Sequence, residues 1–255
     1  MDRLVFTSNA TIKEQATARQ VLVNDLANVS TVGFKSSYDV ALKTIKVEGS
    51  GFDTRFQAQA IARDLIRMEP GPVMATGRPM DIALADHAVL AVQAPNGDQA
   101  FTRRGDLRVN IQGQLENGSG HLVLGTGGPI TIPPGSIVSI NPDGSVYAKN
   151  PAQQGNAAEV LIDQLRLRNA SDVKLARRED GLFKVSEKPD GTDIALVEGQ
   201  SLPKVVPGAL EGSNVSAIEA MTRLIDQSRS FETQIRIIKE TKSLDEQSSS
   251  MMKLA

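Results

Sequence analysis

Helix-breaking residues divide the chain into two ends and a middle. Residues 1–30 and 216–255 contain neither glycine nor proline, whereas the 21 glycines and 12 prolines lie between these two segments. Both residues interrupt helices, so their absence leaves each end free to form one long helix. We predict an N-terminal helix over residues 1–30 and a C-terminal helix over residues 216–255.

Apolar residues recur at helical spacing in both terminal segments and form a narrow stripe on each predicted helix. A narrow stripe on an isolated helix leaves apolar surface in water, so we expect the two helices to form a coiled-coil-like pair. Two helices still leave apolar edges exposed, and helices of other subunits would cover them. The residues predicted to make this intersubunit helix packing are Ile12, Leu22, Leu26, Met221, Leu224, Phe231, Ile235 and Ile238.

The middle of the chain consists of short β-branched runs separated by turn sequences such as Asn96-Gly97, Asp143-Gly144 and Asp180-Gly181. Short strands joined by glycine turns, with no helical pattern between them, are typical of antiparallel sheets. We therefore predict an α+β fold with a central antiparallel β domain over residues 76–202. Residues 31–75 and 203–215 are expected to be extended connecting arms that join this domain to the helices.

Composition excludes several classes of function. The 28 basic and 30 acidic residues nearly balance, which argues against a nucleic-acid partner. Cysteine is absent and only His87 and His121 are present, so thiol chemistry, a cysteine zinc site and a multi-histidine metal centre are not expected. The apolar runs are too short for membrane insertion, and the N-terminus lacks the pattern of a cleaved signal peptide.

Three candidate catalytic groupings have simpler interpretations. The glycine-rich residues 125–129 lack the Lys-Ser/Thr of a phosphate loop and lead into a strand. Ser119 and His121 have no evident orienting acid, and Asp81 and Asp86 would lie on opposite faces of one strand. We therefore expect no cofactor and no enzymatic activity.

Residues 24–35 allow two interpretations. The segment can be a plain helix C-terminus that stops at a glycine. Alternatively, Asn24 and Asn28, one helical turn apart, bind backbone or a neighbouring helix while Gly33 reverses the chain at positive φ.

The same residues carry a resemblance to a known family. Residues 24–35 resemble the N-N-L-A-N-x-x-T-x-G-F-K signature of the flagellar rod and hook axial proteins, with Asp25 in place of the second asparagine. Residues 76–84, 101–105, 143–146 and 208–215 resemble further motifs of that family, in the same order along the chain. The matching assembly-signature residues are Asn24, Leu26, Ala27, Asn28, Thr31, Gly33, Phe34 and Lys35.

This resemblance implies a structural subunit of the flagellar basal-body rod, similar to its proximal members, that self-assembles through its terminal helices and transmits motor torque. The implied partners are other proximal rod subunits, the distal rod protein FlgG, copies of itself and the flagellar type III export apparatus. The implied location is the periplasmic rod, reached without a cleaved signal peptide. The alternatives are a distal rod subunit and, less favoured, a secreted β-domain binding module or enzyme.

Overall fold

The computed structural model describes residues 2–46, 56–151, 159–171, 173–185 and 204–252. These residues form two helices, α1 (Asp2–Ala27) and α2 (Ala217–Met252), and seventeen strands. The strands are β1 (Ser37–Lys46), β2 (Phe56–Ile66), β3 (Val73–Ala75), β4 (Ile82–Leu84), β5 (Ala88–Gln93), β6 (Gln99–Thr102), β7 (Leu107–Val109), β8 (Leu115–Asn117), β9 (Leu122–Val123), β10 (Ile137–Ile140), β11 (Ser145–Lys149), β12 (Val160–Gln164), β13 (Leu167–Asn169), β14 (Leu175–Arg177), β15 (Phe183–Val185), β16 (Val205–Pro207) and β17 (Ala209–Glu211).

Local sequence explains where α2 begins. The backbone N–H of Glu219 donates to the hydroxyl of Ser216 at 3.4 Å, and the Ala220 N–H donates to the Ser216 carbonyl at 2.9 Å. Ser216 therefore acts as the N-cap that satisfies free donors of the first turn. Arg223 and Glu219 form an ion pair one turn apart at 2.5 Å, which supports the exposed face of the helix.

Most strands belong to one ten-stranded sheet with the order β1-β2-β14-β15-β6-β5-β9-β8-β7, and β13 pairs with β5. The pairs are antiparallel, as β5 and β6 show by the register Leu90↔Thr102 through Gln93↔Gln99. The turns predicted at Gly97, Gly144 and Gly181 are confirmed, since all three glycines have positive φ. The prediction of antiparallel strands joined by glycine turns therefore holds.

Three smaller sheets complete the β structure of the described residues. One contains β10, β11 and β12, and the other two are the pairs β16–β4 and β17–β3. The last two pairs join strands that lie far apart in the sequence: Val205 faces Leu84, and Ala209 faces Ala75. The chain segment that returns towards α2 is thus hydrogen-bonded to the start of the β domain.

These pairings correct the prediction of extended connecting arms. Residues 31–75 contain β1, β2 and β3, and residues 203–215 contain β16 and β17, so the predicted arms are largely β-sheet. The structure is mostly β, and strands occur in both segments that were predicted to be connecting arms. Sequence reasoning missed β3 and β17 because three-residue strands carry too few residues for an alternating pattern. The strands β1 and β2, with 10 and 11 residues, were long enough to be recognised.

The predicted coiled-coil-like pair of helices is also wrong. Two hydrophobic clusters fill the described structure, and every residue in them lies between Ile66 and Val205, outside both helices. Two contacts between α1 and α2 involve polar or charged groups: Gln15 Nε2 donates to Ser230 Oγ at 2.8 Å, and the Arg19 guanidinium lies 5.6 Å from the centroid of the Phe231 ring. Met221 remains 53% exposed, so an apolar seam does not form.

Neither helix, over its described residues, is long and apolar enough to cross a membrane.

Candidate functional site

The signature segment leaves α1 through two consecutive turns. Thr31 donates twice to Asn28, from its N–H to the carbonyl and from Oγ1 to Oδ1, both at 3.1 Å. The Phe34 N–H then donates to the Thr31 carbonyl at 3.3 Å. Asn28 and Thr31 therefore fix the exit from the helix, as the side chains of such residues commonly do in turns.

Gly33 occupies a position that no other residue fits. Its φ is +68°, which confirms the positive φ predicted from the sequence. A Cβ atom here would lie 2.5 Å from the backbone carbon and oxygen of Arg103. The Gly33 N–H donates to the Glu211 carbonyl at 2.7 Å. A side chain would therefore be strained by the backbone angle and would also collide with the backbone of Arg103, just after β6.

Lys35 is fully buried beside this glycine. Its ammonium donates to Glu211 Oε1 at 2.7 Å and to the Glu69 carbonyl at 2.6 Å. Burial lowers the pKa of Lys35 from its ordinary value, and the hydrogen bond to Glu211 opposes that shift. The ion pair thus keeps a charged amine in a place where an unpaired one would be strongly disfavoured.

Glu211 connects Lys35 to a second buried cation. Arg103 Nε donates to Glu211 Oε2 at 2.6 Å, and the Gly71 N–H donates to Oε1 at 3.0 Å. The remaining guanidinium nitrogens donate to the carbonyls of Leu84, Asp86 and Ala88 at 2.7–2.8 Å. We call Lys35, Arg103 and Glu211 the ion cluster. It contains two cations and one anion, and both cations also donate hydrogen bonds to backbone carbonyls.

Asn214 extends this attachment. Its Oδ1 accepts from the Ser36 N–H at 2.7 Å, and its Nδ2 donates to the carbonyls of Arg67 and Glu69 at 3.1 and 3.3 Å. The Asn214 N–H also donates to the Phe34 carbonyl at 3.3 Å. One asparagine therefore joins three separate stretches of backbone.

Arg177 holds the same segment from another side. Its guanidinium lies 4.3 Å from the centroid of the Phe34 ring and donates to the Lys35 carbonyl. Such stacking adds attraction beyond the hydrogen bond. The side chains around residues 33–36 thus bind backbone and charge, an arrangement suited to mechanical attachment.

The structure separates the predicted signature residues into two groups. Gly33 and Lys35 are buried at the ion cluster, and Asn28, Thr31 and Phe34 are half-buried beside it. Leu26 is half-buried on α1, whereas Asn24 and Ala27 are exposed. Asp25, which departs from the family pattern, is buried.

The predicted packing residues of the helices are not deeply buried. Met221 and Phe231 are exposed, and the others are only half-buried: Ile12, Leu22, Leu26, Leu224, Ile235 and Ile238.

Sequence reasoning missed Arg103, Glu211 and Asn214 as functional residues. All three lie in stretches that resemble family motifs, residues 101–105 and 208–215. The available signal was the charge of Arg103 within a motif that ends in a glycine. Its partner Glu211 lies 108 residues further along the chain, so the spacing of residues could not identify the pair.

The three sequences considered for catalysis have structural roles. The Gly125 N–H donates to the Gly128 carbonyl in a turn, and Ser119 Oγ accepts from Arg104 at 3.0 Å. Asp81 is buried and accepts from Thr76 Oγ1 at 2.7 Å, whereas Asp86 is exposed. No group of three or more potential metal-binding side chains occurs in the part of the chain that the structure describes.

Comparisons with known proteins agree with the resemblance of the motifs. Residues 206–251 match the model for the C-terminal region of the flagellar basal body rod FlgEFG proteins, and residues 86–148 match that for the flagellar hook protein FlgE/F/G D1 domain. The basal-body rod protein FlgF of Salmonella typhimurium is 35% identical over 93% of each chain, and FlgF of Escherichia coli is 34% identical over the same share. FlgG of Caulobacter vibrioides is 27% identical over 86% of this chain and 87% of its own.

Proposed function

The chain belongs to the flagellar basal-body rod protein family, and we propose that it serves as a structural subunit of the proximal rod. Identity to the FlgF proteins of Salmonella typhimurium and Escherichia coli, at 34–35%, is higher than the 27% identity to FlgG of Caulobacter vibrioides, which favours an FlgF-type position over that of a distal rod subunit. The similarity to these two FlgF proteins covers 93% of each chain, so we apply the proposal to the given chain as a whole.

The ion cluster is the observation that carries a structural function. It attaches the exit from α1, the start of the β domain and the return segment before α2 to one buried carboxylate. A buried ion pair anchored by backbone donors holds these three segments together, because breaking it leaves charges without partners. Firm attachment of this kind suits a subunit that transmits torque.

The proposed role also predicts the partners, the location and the route of export of the subunit. We expect the subunit to contact copies of itself, other proximal rod proteins and FlgG in the periplasmic part of the basal body. Export would use the flagellar type III apparatus without cleavage of a signal peptide. The signature residues from Asn24 to Lys35 would hold each subunit in its assembled orientation.

Purified basal bodies test the proposal. Immunodetection should find the chain at the proximal end of the rod, below FlgG, with its N-terminal sequence uncleaved. A strain lacking the chain should build no complete rod. Normal rods in that strain, or recovery of the chain solely as a free secreted protein, would contradict the proposal and favour a binding module.

A further inference from the structure

One face of α2 combines burial with polar chemistry. Ala220 and Thr241 are the buried side chains of the described part of this helix, at 4% and 8% exposure. Gln227 and Gln234 lie between them at the same seven-residue spacing and are half-buried. Residues seven apart lie on one side of a helix, so the four define a single face.

This face is the one turned towards α1. Ser230 projects from it and accepts the 2.8 Å hydrogen bond from Gln15 Nε2 on α1. The Oε1 atoms of Gln15, Gln227 and Gln234 are buried and have no hydrogen-bond partner among the described residues. We call these three glutamines together with Ser230 the polar seam.

Apolar side chains lie on both faces of α2. Leu224, Ile235 and Ile238 are half-buried near the polar seam, whereas Ile218, Met221 and Ile225 on the opposite face are 80%, 53% and 54% exposed. A buried polar atom without a hydrogen bond costs free energy, so the three unpaired amide oxygens of the polar seam make this face less stable than leucine side chains would.

We infer that the polar seam fixes the rotation and alignment of α2 against α1, and does so at a cost in stability. A polar residue in a helix interface restricts the arrangements in which its hydrogen bonds can be made, as single polar positions do in paired helices. Sliding α2 by one turn, about 5.4 Å, would remove the Gln15–Ser230 bond. The seam keeps Ile218, Met221 and Ile225 facing outward.

Distances between spin labels test this inference directly in the full-length chain. The chain has no cysteine, so Lys13→Cys with Glu232→Cys, both at exposed helix positions, accepts labels at these two sites alone. The label-to-label distance should form one narrow distribution. In Gln15→Leu/Gln227→Leu/Gln234→Leu it should broaden or shift by about 5 Å, one helical turn, while the helix melting temperature rises.

The matched control is Gln20→Leu, which replaces an exposed glutamine of α1 and should leave the distribution unchanged. An unchanged narrow distribution of label-to-label distances in the triple leucine variant would overturn the inference. A broad distribution in the labelled chain that keeps all three glutamines would also overturn it. A triple variant that melts at a lower temperature with the same distance would show that the glutamines act only as packing residues.

Discussion

Gly33 and Glu211 are joined through the main chain, because the Gly33 N–H donates to the Glu211 carbonyl at 2.7 Å. The side chain of the same glutamate holds Lys35, two residues after that glycine, at 2.7 Å. Glu211 thus fixes both the backbone and the charge of the signature segment. Variants of Gly33 and of Glu211 test these two attachments separately.

Gly33→Ala should destabilise the protein more than Gly77→Ala does. Both glycines have positive φ, +68° and +71°, so both variants carry the backbone penalty of roughly 1–2 kcal/mol. Only at Gly33 does the added Cβ meet backbone, at 2.5 Å, whereas Gly77 has no atom within 4 Å of that position. Urea unfolding of the two variants measures the difference, and equal losses would contradict the steric argument.

Gly33→Val should block motility for the same reasons, since its branched side chain enlarges the collision with Arg103. The contact lies within the compact unit formed by residues 28–38 and 64–215, which we call the β unit, so we expect the unfolding midpoint of that unit to fall as well. Normal swimming of a strain with this single change would show that the turn at Gly33 does not orient the subunit.

Glu211→Gln should cost about 3–5 kcal/mol of folding free energy, because it leaves Lys35 and Arg103 buried beside an uncharged amide. Glu219→Gln is the matched control: it breaks the exposed ion pair with Arg223 and should cost less than about 1 kcal/mol. Urea denaturation followed by fluorescence or circular dichroism gives both values. A small loss in Glu211→Gln would mean that the cluster is not the main attachment of the segment.

Two truncated chains test the contributions of the ion cluster and of α2 separately. A chain ending at residue 215 keeps β17, Glu211 and Asn214 and should retain a cooperatively unfolding β unit, since neither hydrophobic cluster contains an α2 residue. A chain ending at residue 207 lacks Glu211 and should lose several kcal/mol, as expected for a broken buried pair. Neither chain should enter rods; incorporation of the longer one would contradict assembly through α2.

His121 should make the protein less stable in mild acid. Burial is the main cause that lowers its pKa below the ordinary 6.5; Arg104 and Arg178 act in the same direction, against Asp180. The unfolded chain therefore binds a proton first, and the free energy of unfolding falls as pH drops through 6.5 towards the folded pKa. Urea unfolding at pH 7.5 and 5.5 should show a larger decrease for the unsubstituted chain than for His121→Gln; equal decreases would exclude the imidazole as the cause.

Features that depend on residues close together in the sequence could be predicted from the sequence. The start of α2, the glycine turns and the positive φ of Gly33 depend on a few neighbouring residues, and the structure has all three. The helix α1 ends at Ala27, three residues before the predicted end. The pairing of β16 with β4 and the ion cluster depend on residues more than 100 positions apart, for which periodicity gives no partner.

The prediction of the interface between the two helices was wrong for a different reason. The stripe of Met221, Leu224 and Phe231 has helical spacing, but spacing identifies a face and not the neighbour of that face. The structure brings Phe231 near Arg19 of α1, but it also places Gln227 and Gln234 on the face towards α1, where the stripe alone predicted apolar residues. Sequence-based reasoning assumes that apolar residues face the nearest helix, an assumption that fails when a subunit has further neighbours to pack against.

The position of Glu211 near the end of the chain also sets a sequence of events in time. A ribosome delivers Lys35 long before it delivers Glu211, so the lysine remains hydrated until about four-fifths of the chain has emerged. Closing a loop of this length is slow compared with forming local turns. The ion pair that holds Lys35 can therefore form only after residue 211 is available, so this attachment of the N-terminal segment is made late.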